Sequence, residues 1–364
     1  RKTMKNIIKT LIVMFSSISL FASANAGELG VSGTAKATYN IQSGKTNAGK
    51  GLGITNELNF TASGELDNGY TWSYSMELDP GATTPSGSTD TSPGNAQNDD
   101  TKLTLTTPYG TVGVFISEGG LDLEDAASQS VYARPTDVGD PSGTSDNYTI
   151  DSYNNVQYHM PADLLPFGIV GKIAYATNTA DTEPGSSGNN KGAVYTGSST
   201  ASGATATELQ VKAAPVDGLA IGASYFEFGG DQGEAKNDSL GESGAYYATY
   251  ATGPVSIGYS KAYKQLFLGE DTGDTTSDNA EFYDQTNYSI AFAATDDLSV
   301  SYERETSEVN KLDDTTVEQE SSSVQVAYTM GGMTLAVVHS GHDNNGYVTG
   351  ANTDQTILAV TMAF

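Results

Sequence analysis

The 364-residue chain carries 44 acidic residues against 17 basic ones and contains no cysteine. A formal charge of −27 leaves no basic surface for neutralising a nucleic-acid backbone, and the missing thiols exclude disulfides and cysteine chemistry. The length admits two ordinary domains or one large barrel. The composition suits a secreted soluble protein or a membrane barrel, in which only every second strand residue meets lipid.

Lys5 and Lys9 form a basic N-terminal region, and Ile7 to Ala22 is an apolar stretch broken by Lys9, Thr10 and a few serines. Ala24-Asn25-Ala26 then offers the small residues that a signal peptidase reads. These features predict a signal peptide over 1–26, removed before Gly27, and a single mature domain over 27–364. The uninterrupted apolar core from Leu11 is too short and too rich in serine for a membrane anchor. Removing Arg1, Lys2, Lys5 and Lys9 leaves 13 basic residues against 44 acidic ones, a formal charge of −31. Much of the acid falls in 271–278 and 303–320, which read as solvated loops.

Period-two alternation recurs along the whole mature chain. In the first predicted strand, Leu29, Val31, Gly33, Ala35, Ala37, Tyr39 and Ile41 alternate with Gly30, Ser32, Thr34, Lys36, Thr38 and Asn40. Ile54, Leu58, Phe60 and Ala62 repeat the pattern. After the turn signal Asp67-Asn68-Gly69, Tyr70, Trp72, Tyr74, Met76 and Leu78 do so again. Short connections rich in turn residues are expected at 65–69, 108–110, 161–166, 215–218, 252–254, 295–297 and 331–332. They alternate strictly with long polar ones at 42–52, 79–100, 117–149, 177–204, 229–243, 264–284, 305–321 and 341–354. Tight turns on one side and loops on the other predict an all-β, transmembrane, antiparallel up-and-down barrel of about sixteen strands.

Charge tests which parity meets lipid, because a Lys or Arg at mid-membrane on the lipid face costs roughly 2–4 kcal/mol. The apolar parity is nearly free of charge, whereas the other carries Lys36, Glu57, Glu77, Lys102, Lys172, Glu208, Lys212 and Glu303. Glu227 and Arg304 fall on the apolar parity near strand ends, and Lys261 between Tyr259 and Tyr263 must snorkel to the interface. A soluble β-sandwich would alternate in the same way. The loop alternation, the tyrosines near strand ends (Tyr39, Tyr70, Tyr109, Tyr225, Tyr263, Tyr302) and the last strand favour the membrane barrel. That strand runs from Thr356 to Phe364, with Leu358, Val360, Met362 and Phe364 on one face, and is placed to close against the first.

From Gly27-Glu28-Leu29-Gly30-Val31-Ser32-Gly33 to the terminal Phe364, the chain resembles the Gram-negative general porins, particularly the alphaproteobacterial type. The resemblance implies residence in the bacterial outer membrane and passive diffusion of small hydrophilic solutes and ions. It implies contact with outer-membrane lipid and a homotrimer of sixteen-stranded barrels. It also makes Phe364 the signal read by the barrel assembly machinery. A third external loop, here 117–149, would fold into the lumen and face a basic wall.

That loop carries Glu118, Asp122, Glu124 and Asp125 as the acidic side of an expected constriction, with Arg134 its only base; Lys36, Lys102 and Lys172 are the candidates for the opposing wall. The family uses arginines there, and the mature chain has only Arg134 and Arg304. With so much acid the pore is expected to be weakly cation-selective. Enzyme chemistry has little to stand on: His159, His339 and His342 are the only histidines, and His339 to Asp343, which could in principle ligate a metal, spans a strand end and a glycine that fix neither imidazole. Gly49-Lys50-Gly51-Leu52-Gly53 lacks the following helix that a phosphate cradle needs. No cofactor is expected; Asp271-Thr272-Gly273-Asp274 could hold calcium, though loop solvation is the plainer reading. The competing functions are a non-conducting barrel serving as a surface adhesin or structural protein, and a substrate-specific porin.

Overall fold

The computed structural model describes residues 29–44, 49–79, 97–138, 146–177, 179, 205–229, 237–239, 241–266, 268–269 and 280–364. The expected signal peptide over 1–26 and the candidate calcium stretch at 271–274 lie outside the described residues. In chain order the strands are β1 (Leu29–Gly44), β2 (Gly49–Glu65), β3 (Thr71–Asp79), β4 (Gln97–Thr107), β5 (Gly110–Ile116) and β6 (Asn155–His159). There follow β7 (Val170–Ala176), β8 (Thr205–Val216), β9 (Leu219–Gly229), β10 (Asn237–Ser239), β11 (Glu242–Thr252) and β12 (Val255–Gln265). The last are β13 (Leu268–Gly269), β14 (Ala280–Ala293), β15 (Leu298–Lys311), β16 (Thr316–Met330), β17 (Met333–Asp343) and β18 (Thr353–Ala363). Sixteen of them form one closed antiparallel barrel, and β10 with β13 makes a separate two-stranded ribbon.

All seven short connections occur where turn chemistry predicts them. The long connection expected at 305–321 does not. β15 and β16 run on to Lys311 and from Thr316, so Glu303, Glu305 and Glu320 are strand residues and the loop shrinks to a tight turn. These strands of 14 and 15 residues exceed the roughly 9–11 that cross a bilayer, so the outward face of their outer ends carries charge in place of apolar residues and the sequence loses its alternation, while the inward face stays buried. The connection expected at 42–52 shrinks in the same way, with β1 reaching Gly44 and β2 starting at Gly49.

The exposed parity is the apolar one. Leu209, Val211, Ile257, Val324, Val337 and Leu358 face outward and are exposed, while their polar neighbours Glu208, Gln210, Ser260, Ser323, Gln325 and Ser340 face inward and are buried. A soluble sandwich buries its apolar parity. An apolar belt around a polar interior belongs to a barrel in lipid. Lys261 is accommodated on the outer face by an ion pair with Asp284 at 3.2 Å.

Closure sets β18 against β1, so no strand edge is left in lipid. The Gly33 N–H donates to the Phe364 carbonyl (2.8 Å), and the Phe364 N–H returns the bond (3.0 Å). A Cβ on Gly33 would stand 2.9 Å from the Phe364 ring, so only glycine seats the terminal aromatic there. Gly33 is therefore covered, although it shares the outward face of β1 with the exposed Val31. The apolar clusters lie inside the barrel, between the wall and the segment after β5. Leu121 and Ile150 pack on Ala174, Ala176, Ala206, Phe226 and Phe228, and Val138 packs on Ala336, Val338, Ile357 and Ala359.

Candidate functional site

The segment between β5 and β6 does not leave the barrel as a free external loop. It runs round the inner wall, and successive strands each supply a lumenal side chain that satisfies its backbone. On β6, Asn155 Nδ2 donates to the Glu118 carbonyl (3.2 Å). On β8, Glu208 accepts the Leu121 and Ile150 N–H groups (3.3 and 2.9 Å), and Gln210 Nε2 donates to the Leu121 carbonyl (2.8 Å). Ser224 on β9 accepts the Leu123 N–H (3.0 Å). Ser260 on β12 and Ser289 on β14 donate to the carbonyls of Glu124 and Ala127, each at 2.6 Å. Gly258, beside Ser260, has to be glycine because the Ala127 carbonyl occupies the space a Cβ would take.

β15 and β16 hold the far part of the loop. Glu303 accepts hydrogen bonds from the hydroxyls of Ser128 (2.6 Å) and Ser130 (2.5 Å) and from the Asn287 amide. Glu305 accepts the Thr136 N–H (3.1 Å) and hydroxyl (2.7 Å). Gln325 accepts the Tyr132 N–H (2.9 Å) and donates to the Ala133 carbonyl (2.5 Å). Buried carboxylates survive because each is given such donors. Of these anchors only Glu208 and Glu303 stood out as lumenal in the sequence. The signal for the others was a set of inward serines and glutamines at similar height on successive strands.

The acids meet around an open space of about 460 Å³ lined by Asp100, Glu118, Asp122, Glu124, Asp125, Asp146 and Asp151, with Arg134 as its one basic lining residue. Arg134 is itself consumed. It donates to Asp137 through Nε (2.9 Å) and Nη2 (3.0 Å) and pairs through Nη1 with Asp125 and, at 3.5 Å, Glu305. Burial alone would lower the guanidinium pKa, but Asp125, Glu305 and Asp137 hold it above its ordinary value. Asp122 accepts from Ser224 and Asn147 (both 3.1 Å). Burial, followed by the charges of Asp122, Asp125 and Asp146, raises Glu124 well above the usual carboxylate range. Burial also pushes Asp125 up to about 7 against the pull of Arg134, with Glu305, Asp122 and Asp137 adding to the rise.

The basic side departs from the arrangement expected. Lys102 does not face Glu118 across a gap; the two form an ion pair at 3.0 Å at the root of the loop. Lys172 stands on the wall to which the loop is fastened, on its short-turn side, because it shares the lumenal face of β7 with Ala174 and Ala176, which pack beneath the loop. Lys36 does approach the loop, its Nζ 5.6 Å from the centre of the Tyr132 ring. His339 faces outward and bonds Thr356 (3.0 Å), whereas His342 is buried inward between Ser321 and Ser340, so the two imidazoles cannot converge on a metal. Among the described residues no group of three potential ligands could hold one.

The likenesses to known proteins point the same way. The chain aligns over 93% of its length with the trimer form of OmpT from Vibrio cholerae, covering 100% of it at 13% identity and a TM-score of 0.59. Salmonella typhi OmpF, in its complex with daunomycin, is covered to 98% at 14% identity and a TM-score of 0.66. A mutant of Rh. blastica porin is covered to 100% at 12% identity and a TM-score of 0.56. At these identities the likeness establishes the fold. No curated protein matches the chain. The Gram-negative porin family model matches residues 10–356, nearly the whole length. With its lumen crossed by an anchored acidic loop, the chain belongs to the Gram-negative porin family and forms a channel of the outer membrane.

Proposed function

We propose that the channel passes small hydrophilic solutes and ions by passive diffusion, favours cations weakly and performs no catalysis. The observation that carries this reading is the anchored loop, whose acids surround the open space while its one base is already paired with three carboxylates. Such a lumen holds a negative potential of a few kT, concentrating cations and repelling anions. In a planar bilayer under a salt gradient, the wild-type protein is expected to give a cation-selective reversal potential. That potential should shrink in concentrated salt, where the screening length falls to about 3 Å at 1 M. Anion selectivity would overturn the reading, and a folded barrel without conductance would favour an adhesin or structural role.

Cleavage of residues 1–26, recognition of Phe364 by the barrel assembly machinery and a homotrimer in outer-membrane lipid complete the proposal. On the outer face Ala37, Leu52, Leu335, Val337, Leu358 and Val360 line a shallow apolar depression of about 320 Å³ beside the closure, where the small Ala37 leaves room for the side chains of a second barrel. Ala35→Trp with Ala37→Trp should turn a heat-resistant oligomer into monomers on mild gels. An unchanged oligomer would place the interface elsewhere. Gly33 is unsuitable for this test, since a side chain there would unseat Phe364.

A further inference from the structure

Three lumenal residues lie two positions closer to the short turns than a residue lodged against the loop. His159 follows Gln157, whose Nε2 donates to the Gly119 carbonyl (2.5 Å). Lys212 follows Gln210, which holds Leu121. Lys172 precedes Ala174, which packs against Leu121 and Ile150. Because strand side chains repeat every second residue, all three point into the lumen just past the loop, on its short-turn side.

The register makes them neighbours. His159 is directly opposite Lys172, and Lys172 is opposite Gln210, which places Lys212 diagonal to Lys172. Diagonal residues on one sheet face are about 7–8 Å apart at the backbone, within the span over which two lysine stems can close on one small anion. Among the described residues no carboxylate pairs with Lys172 or Lys212, although Lys102, Lys261 and Arg304 each have one and Arg134 has three. His159 bonds Gln157 through Nε2 (2.7 Å), and Lys172 and Lys212 supply the two ammonium groups. Hydroxyls stand close by: Thr111 is opposite His159 and bonds Thr106 at 2.9 Å. Two like charges on one face repel, and a shared counter-anion relieves that repulsion.

We propose that Lys172 and Lys212 form a subsite for small multivalent oxyanions of the phosphate class, on the short-turn side of the loop. The loop acids thus bias one half of the lumen toward cations, and this lysine pair biases the other toward anions. A solute carrying both signs of charge would be drawn through lengthwise. The inference rests on the channel reading, and the test separates the two.

Single-channel current in potassium chloride is recorded with inorganic pyrophosphate added to one side at a time. Pyrophosphate should interrupt the current at lower concentration from one side than from the other. Lys172→Gln with Lys212→Gln should raise the half-blocking concentration on that side at least about tenfold, and the Lys172→Arg, Lys212→Arg pair should keep the block. Equal block from both sides of the wild type, or undiminished block in the glutamine variant, would overturn the subsite. If the double variant fails to fold, the sidedness of the wild type and the single Lys172→Gln variant decide. Current in potassium chloride without any pyrophosphate effect refutes the subsite alone, whereas absence of any current refutes the channel.

Discussion

The Glu303→Gln, Glu305→Gln variant is expected to conduct at least about twice as well as the wild type, with added current noise, because pore conductance follows the narrowest cross-section. These two carboxylates accept hydrogen bonds from Ser128, Ser130, Thr136, Arg134 and Asn287, and so fasten the far part of the loop to β14 and β15. A hydrogen bond to a charged group is worth roughly 1.5–3 kcal/mol, about twice a neutral one. Glutamine keeps the shape but loses the charge and presents an N–H₂ group to hydroxyl and guanidinium donors. The stretch from Ser128 to Asp137 should then leave the wall for part of the time. Gln325→Ala should add to the effect, because it removes the partner of Tyr132 and Ala133. Heat-modified gel mobility reports whether the barrel is intact, and bilayer recordings report the conductance. An intact variant with wild-type conductance and noise would mean that the other anchors suffice.

Neutralising Asp122, Glu124 and Asp125 together should bring the cation-to-anion permeability ratio to roughly one, since the loop charges are the main source of the field. Glu118 adds little as an acid, because its charge is spent on Lys102; adding Glu118→Gln frees that lysine and should push the ratio further toward anions. Lys36→Gln should move the wild type toward greater cation selectivity. The wild-type ratio should also depend on pH with a definite sign. Asp125 is pushed up to about 7 and Glu124 is raised as well, so both take up protons at higher pH than free carboxylates do. Their negative charge is present above pH 7 and lost as the pH falls through it, so selectivity should drop with acidification. The triple variant should lack this step. Reversal potentials measured on both sides of neutral pH check it, and a wild type with no change there would remove Asp125 from the ion path.

The barrel was readable because lipid constrains one parity of every strand. Tyr70, Trp72 and Tyr74 could not have exchanged faces with Thr71, Ser73 and Ser75 without placing polar groups in hydrocarbon. That constraint ends where lipid ends. On the outward face Glu308, Glu318 and Glu320 take the places of apolar residues beyond the lipid, and with the inward Glu303 and Glu305 they make the hairpin resemble a loop. The constriction was readable as a long acidic segment but not as a path. Which wall it follows depends on contacts between residues more than a hundred positions apart, such as Ser289 with Ala127 and Gln325 with Ala133. Lys102 with Glu118 and Gly33 with Phe364 are likewise pairings set by register across the sheet, which periodicity along one strand does not encode.

The loop is fastened at many points, from Asn155 on β6 through β8, β9, β12, β14, β15 and β16 to the apolar seat of Val138 on β17 and β18. A hollow cylinder of single-layer wall is easily flattened, and its cross-section is set by whatever braces that wall. Here the brace is a belt, stitched along the inner wall from β6 round to β18, that resists ovalisation under lateral pressure from the bilayer. Aperture and roundness are therefore governed by the same stitches. A substitution that widens the passage also softens the tube, so selection on permeability in this protein is at the same time selection on mechanical stiffness.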